Sequence, residues 1–450
     1  MKKRLAEQSL LFISVVRWIT LATIIGIIVG ISTAVFLKTL NYGIVFANRQ
    51  QYFFLLMPAA FFMSSLIITY LAPEAGGHGT EKVIEAVHNR SGRINPAVVP
   101  VKLFATVITI ASGGSAGKEG PCAQIGAGLA SLFASIFKFD NSDRRKLVIC
   151  GISAGFAAVF GTPIAGAIFG VEVLFVGSIL YDVLLPSFIS GIISYHVAEL
   201  FGTKYFYHTL SFIPVFTQLF FLKVIMAGIF FGLCSFIMIE ILRLGEKISE
   251  KIRIWLPFKS IMGGFILVGL TFMFSKQYLG LGLNTIENCL GGGKVQWYAF
   301  LVKSIFTSLT LNFGGSGGIV TPIFFVGSAS GNMLAQIFNL DIATFSALGF
   351  VALLAGTANT PIAASIMAIE LFGPKIAPYA AVACIISFLM TGHRSVYPSQ
   401  ILAFKKSKFI EVNTGKEMQN IKISFQGFKN SRMSKFISKI KSFYIMTRKK

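Results

Sequence analysis

Two stretches of this chain, 201 residues apart, constrain its fold more than any other feature. Gly113-Gly114-Ser115, with Gly117 and Pro121 close behind, recurs as Gly314-Gly315-Ser316 with Gly318 and Pro322. Thr162-Pro163-Ile164-Ala165, followed by Glu172, recurs as Thr360-Pro361-Ile362-Ala363 followed by Glu370, at an offset of 198. More weakly, Gly77-x-Gly79 with Glu85 echoes Gly280-x-Gly282 with Glu287. Matched blocks in the same order, at nearly constant spacing, mark an internal repeat. Each block is rich in residues that break helices, so each copy carries interruptions at corresponding places.

Both copies lie in apolar sequence. The chain is 54% hydrophobic and 13% charged, whereas a soluble chain carries roughly a quarter charged residues, so lipid is the main solvent. Candidate spans fall at about 11–40, 52–72, 99–112, 122–138, 147–160, 163–178, 182–200, 214–243, 259–276, 297–311, 320–338, 342–358, 361–373 and 376–391. A helix needs about 20 residues to cross the hydrocarbon core, and several of these are shorter. Such broken helices are tolerated only where the freed backbone groups line a protected cavity. A repeat with interrupted helices at matching positions points to a transport site near the midplane. The expected fold class is therefore an all-α polytopic membrane protein of two repeats, inverted if an odd number of crossings separates them. The expected membrane domain covers 1–403, with repeat one at about 15–200 and repeat two at about 214–403. A basic tail, 404–450, follows.

Charge is concentrated at the ends. The net charge is +22, and residues 405–450 hold 13 Lys or Arg against Glu411 and Glu417. Cationic flanks place both termini in the cytoplasm, where a basic tail is attracted to anionic lipid; no nucleic-acid partner is expected. The five cysteines lie singly in apolar contexts and read as core residues. The histidines show no metal-ligand spacing, and no nucleotide or hydrolase motif appears. Neither metal nor cofactor is expected.

Three glycine turns precede helical runs: Gly77-His78-Gly79, Gly117-Lys118-Glu119-Gly120-Pro121 and Gly317-Gly318-Ile319-Val320-Thr321-Pro322. Proline is favoured at the first helical position, so Pro121 and Pro322 are expected to start helices. The first N–H groups of a helix lack internal partners and carry partial positive charge. Several such ends converging in a membrane would bind an anion without the full charge that traps it. Glu119 then gains a reason, since a tethered carboxylate can occupy the anion's place. Capping a helix is the simpler role for it, but an ionisable residue within the membrane is a functional candidate by default. Lys118 fits equally an added positive potential or a side chain reaching the interface.

These residues resemble the CLC family of chloride channels and proton-coupled anion exchangers. The Glu119 motif is similar to its G-[K/R]-E-G-P signature, and Gly318-Ile319-Val320-Thr321-Pro322 to its G-x-F-x-P, with Val320 where phenylalanine is usual. Gly77-His78-Gly79-Thr80 falls where the family has G-S-G-I-P, and Tyr397 where it has a pore tyrosine. The resemblance covers about residues 15–403. It implies a multi-pass protein of a prokaryotic inner membrane, working as a homodimer with one anion path per subunit between inverted halves. It makes Glu119 the gate, and it makes the anion-binding set His78, Gly79, Gly117, Lys118, Gly120, Gly318, Ile319, Val320 and Tyr397. The backbone N–H groups of Ile319 and Val320 line the central site, and the Tyr397 hydroxyl closes its inner side.

Two departures from the family pattern bear on mechanism. The exchangers' inner proton-relay glutamate corresponds to Val173, one place after Glu172. An aliphatic side chain cannot bind a proton, which favours passive conduction or loose coupling of chloride or another small monovalent anion. A tightly coupled proton antiporter of chloride or fluoride stays open as the alternative, with Glu172, Glu370 or His78 as other proton routes. Glu172 and Glu370 are equivalent in the two copies, and a paired structural role is expected for them. His78 stands where the family has its pore serine; ringed by helix N-termini, it is expected to act as a neutral donor or to turn away. The tail is too short for the family's C-terminal regulatory domains. A membrane enzyme using Glu119 and His78 as acid and base has little support, because glycine turns account for both.

Overall fold

The computed structural model describes residues 2–205, 207, 210, 217–421, 424 and 425. The tail from 426 onwards and the first residues of the span expected at 214–243 lie outside them. The first half carries α1 (Lys2–Asn48), α2 (Met57–Leu71), α3 (Thr80–Asn89), α4 (Val98–Ala111), α5 (Glu119–Ile136), α6 (Asn141–Phe160), α7 (Pro163–Glu172) and α8 (Tyr181–Leu200). The second carries α9 (Gln218–Lys251), α10 (Leu256–Met273), α11 (Leu283–Leu290), α12 (Ala299–Asn312), α13 (Val320–Phe338), α14 (Ile342–Ala358), α15 (Pro361–Phe372) and α16 (Ala377–Met390). The order and lengths of the second set follow those of the first. Among the described residues, five helical stretches are long and apolar enough to cross a membrane: Ala6–Asn48, Phe53–Leu71, Tyr181–Leu200, Gln218–Lys251 and Leu256–Met273. The others are shorter or, like α5, α6 and α13 at 18, 20 and 19 residues, are buried along most of their length. Very short strands complete the fold: β1 (Phe175–Val176) pairs in parallel with β2 (Ile401–Leu402), and β3 (Ile410–Glu411) pairs antiparallel with β4 (Ser424–Phe425). The span expected at 163–178 thus ends as a helix at Glu172, because the chain beyond it pairs with β2.

Local chemistry repeats along with the sequence. Asp140 caps α6 by accepting a bond from the Asp143 N–H at 2.7 Å, and Asp341 caps α14 by accepting one from the Thr344 N–H at 2.8 Å. Both helices end at a left-handed residue, Gly161 and Asn359. The pairs α5–α6 and α13–α14 cross where glycine faces glycine, Gly126 against Gly151 and Gly327 against Gly349. A Cβ on Gly151 would come within 2.5 Å of the Gly126 carbonyl oxygen. Small residues let helix backbones approach closely where burial of apolar surface supplies no drive between helices.

The helix starts expected at Pro121 and Pro322 lie two residues too late. The helices begin at Glu119 and Val320, with Lys118 and Ile319 as caps. Proline is tolerated throughout the first turn, because the N–H groups there have no partner in the helix. The displacement puts Glu119 itself in the first turn. Pro163 and Pro361 do sit at helix starts.

Those last two helices are capped from the opposite repeat. Glu172 accepts bonds from the N–H groups of Ile362 (3.0 Å) and Ala363 (2.8 Å) at the start of α15. Glu370 accepts the equivalent bonds from Ile164 (2.9 Å) and Ala165 (2.8 Å) at the start of α7. The cap threonines, Thr162 and Thr360, make no cap bond, and their hydroxyls have no partner. Each carboxylate thus satisfies two otherwise orphaned donors and meets a positive helix end. Replacing Glu172 with alanine should cost about 1–2 kcal/mol, seen as a lower melting midpoint in detergent, and Glu370→Ala should act alike. Unchanged midpoints in both would show that Thr162 and Thr360 take over the caps.

Candidate functional site

The two signature turns are hydrogen-bonded to each other. Gly117 N–H donates to the Gly318 carbonyl at 2.7 Å, and Gly318 N–H donates to the Gly117 carbonyl at 2.6 Å. Flanking hydroxyls repeat the exchange. Ser115 N–H donates to Thr310 Oγ1 and Ser316 N–H to Thr109 Oγ1, each at 3.0 Å. The Ser115 and Thr307 hydroxyls lie 3.1 Å apart, as do those of Ser316 and Thr106. Every bond has a partner with the two repeats exchanged, which is what a pseudo-two-fold axis through the bridge requires.

The third turn joins them. A Cβ on Gly120 would meet Gly318 Cα at 3.0 Å and the His78 carbonyl oxygen at 3.1 Å. Gly79, at φ +40°, is held against the Gly120 carbonyl more closely than any side chain allows. Residues 77–79, 117–120 and 318 therefore touch backbone to backbone, and the starts of α3, α5 and α13 converge there.

Glu119 is fully buried. Its carboxylate crosses to the other repeat: Oε2 accepts from the Thr321 N–H at 3.0 Å, and Oε1 accepts from the Thr321 hydroxyl at 2.5 Å. A bond that short is ordinary for a hydroxyl donating to a charged oxygen. The side chain of one helix's first residue thus occupies the open N-terminus of α13. Among the described residues, no side chain and no loop carbonyl takes up the N–H groups of Ile319 or Val320. Lys118 is half-buried at the start of α5.

The Tyr397 side chain is fully buried on the loop after α16. Its ring lies 5.9 Å from that of His78, and its hydroxyl has no hydrogen-bond partner, nor has His78 Nδ1. A cavity of about 800 Å³ approaches from the side of the C-terminal segment and reaches His78 and Ile319. Glu81, Arg243, Arg394 and Glu417 line it further out, so its wall carries both signs of charge. Gln400 fixes the tyrosine's loop from behind, its amide donating to the Val173 and Ala358 carbonyls at 2.7 and 2.8 Å. Val173 itself is fully buried.

Several contributors escaped the sequence reading. Lys102 and Lys303, both fully buried, donate to carbonyls of the turns ahead of α3 and α11: Lys102 to Ala75 (3.0 Å) and Gly77 (2.6 Å), Lys303 to Tyr278 (3.1 Å) and Gly280 (2.9 Å). Their signal was present, since a lone lysine stands at the same place in an apolar helix of each copy. Thr321 stands inside a motif already singled out. Glu81 accepts from the Ser399 N–H at 2.9 Å and from its hydroxyl at 2.5 Å, a contact between segments that no local pattern announces.

A sequence profile described as "Voltage gated chloride channel" matches residues 59–392. A relative from Pseudomonas syringae pv. tomato, described as a chloride/fluoride channel protein, is 34% identical over 414 residues, covering 90% of this chain and 91% of that protein. An H(+)/Cl(-) exchange transporter from Klebsiella pneumoniae is 25% identical over 386 residues, covering 78% of this chain and 80% of its own. Among solved structures, one of a CLC-type fluoride/proton antiporter superposes with a TM-score of 0.82 at 27% identity, covering 86% of this chain and 98% of that one.

Crowding at the bridge is directly testable. A methyl group on Gly318 would lie 2.7 Å from the Gly120 nitrogen, whereas nothing lies within 4 Å of one on Gly269. Gly318→Ala should lower both the melting midpoint and anion flux, while Gly269→Ala leaves both unchanged. Equal behaviour of the two variants would remove the tight backbone contact from the explanation.

Proposed function

The chain belongs to the voltage gated chloride channel family, and we propose that it carries chloride or another small monovalent anion across a membrane along a path gated by Glu119. The observation that carries this is the seat of the Glu119 carboxylate. An anionic group, tethered to α5, is bound by a backbone N–H and a hydroxyl at the N-terminus of α13. A free halide would use the same donors, so carboxylate and anion compete. Protonating Glu119 removes its charge and weakens its hold, which leaves the seat to the anion.

Coupling to protons is loose on this reading. Val173 cannot hold a proton, and the neighbouring Glu172 is committed to the start of α15. His78 and Glu119 do not form an acid–base pair either, since the carboxylate is bound to Thr321 and His78 Nδ1 has no partner. Strict proton/anion antiport is the second reading. It is favoured by the likeness to a fluoride/proton antiporter and to a proton/chloride exchanger. Fluoride belongs among the candidate cargoes for the same reason, and because the relative from Pseudomonas syringae is described with both halides.

Flux from proteoliposomes with simultaneous pH recording separates the two readings. An imposed chloride or fluoride gradient should move the anion with little accompanying proton movement; stoichiometric uphill proton movement would establish the antiporter instead. Flux should rise as pH falls and Glu119 becomes protonated. Glu119→Ala should keep or raise anion flux and abolish that pH dependence. Loss of all flux in folded Glu119→Ala would make Glu119 something other than the gate. His78→Ser should change the order of preference among chloride, nitrate and fluoride, and an unchanged order would take His78 out of the path.

A further inference from the structure

We propose that Glu81 is a positioning residue of the anion path: its carboxylate clasps the loop that carries Tyr397 to the start of α3, and so sets where the tyrosine stands at the inner end of the path. The proposal rests on the transport reading above and adds a residue to it.

Glu81 lies in the first turn of α3. An acid at that place ordinarily serves its own helix, meeting the free N–H groups and the positive end. This one bonds to a residue 318 positions away: Oε1 accepts from the Ser399 N–H at 2.9 Å and from the Ser399 hydroxyl at 2.5 Å. Three cations on the same cavity wall are engaged elsewhere. Lys82 donates to Glu85 at 2.9 Å, and Arg243 and Arg394 both donate to Glu240, at 3.4 and 3.0 Å. Among the described residues Glu81 Oε2 has no hydrogen-bond partner, so the carboxylate is committed to Ser399 through Oε1.

Ser399 stands two residues past Tyr397, with Pro398 between them. Proline fixes its own φ and restricts the residue before it, so holding Ser399 holds the tyrosine's backbone. Other bonds of this loop run to the ends of α7 and α14: Val396 N–H donates to the Thr357 carbonyl at 3.0 Å, and Gln400 reaches Val173 and Ala358. The clasp adds α3, whose preceding Gly79 is pressed against the Gly120 carbonyl. His78 and Glu81 line the same cavity as Val396, Pro398 and Ser399, so the clasp joins two parts of its wall. Without it the loop would keep its hold on α14 and lose its fixed distance from α3.

The test is isothermal titration of the purified protein with sodium chloride and sodium fluoride, with halide flux measured on the same variants in proteoliposomes. Tyr397→Phe should weaken binding about ten-fold, for loss of one bond to a charged partner. Glu81→Ala should weaken it at least about three-fold, beyond the scatter of independent sites, because the tyrosine is no longer held in place. The two together should weaken binding no further than Tyr397→Phe does alone, since Glu81 acts through the tyrosine. Glu81→Gln keeps an oxygen for Ser399 and should stay within about two-fold of the unaltered protein. If Glu81→Ala cannot be purified folded, Ser399→Ala, which removes the hydroxyl bond and keeps the N–H, should weaken binding in the same direction. Unchanged binding in Glu81→Ala and Ser399→Ala, losses that multiply in the double variant, or no rescue by glutamine would each overturn the assignment. So would a Tyr397→Phe protein that binds halide as the unaltered one does. Absence of halide binding and flux in every form, the unaltered protein included, would overturn the transport reading along with it.

Discussion

The mutual backbone bonds between Gly117 and Gly318 hold the rest of the structure in place. Two loops from opposite halves of the chain satisfy each other's N–H and C=O groups at the centre of the protein. Without that exchange, four polar backbone groups would be buried and unpaired, a cost lipid offers no means of lowering. Only glycine allows the approach, since any side chain on Gly318 would strike the start of α5. The bridge also fixes the directions of α5 and α13, which leave it from opposite strands of one small antiparallel contact. Their open N-termini are left side by side, and Glu119 can reach from one to the other.

Buried charge in this protein is paired between the repeats, with one exception. Glu172 and Glu370 exchange caps between the repeats, and Lys102 and Lys303 each hold two carbonyls of the turns before α3 and α11. Each of these groups is paired with backbone dipoles of opposite sign, which is how a charge is kept in a buried place without a counter-ion. Glu119 differs from them. It has no equivalent at Val320, the matching position of the other copy, so the symmetry of the scaffold is broken there. One carboxylate lies between two helix ends, where a pair of them would repel each other.

Hydroxyls do the remaining work. Ser115, Ser316 and four threonines tie the bridge, and Thr321 holds the Glu119 carboxylate. Hydroxyls and backbone N–H groups hold an anion by dipoles alone. Binding is then firm enough to replace water and weak enough to release, as conduction requires.

The repeat, the membrane environment, the three turns and Glu119 were legible in the sequence because each is a local pattern: helix breakers at matched offsets, apolar runs and an isolated acid among glycines. The paired role of Glu172 and Glu370 could be read from the same symmetry. Where the helices begin could not, because proline fits any place in the first turn and the sequence does not distinguish Glu119 from Pro121 as the start. The partners escaped altogether: Glu119 with Thr321, Glu172 with the start of α15, Glu81 with Ser399. Such contacts join residues about 200 to 300 positions apart, and nothing in either segment encodes its distance from the other. The sequence by itself determined which groups must find partners in lipid. The tertiary structure alone decided which partners they find, because that depends on how two folded halves are turned against each other.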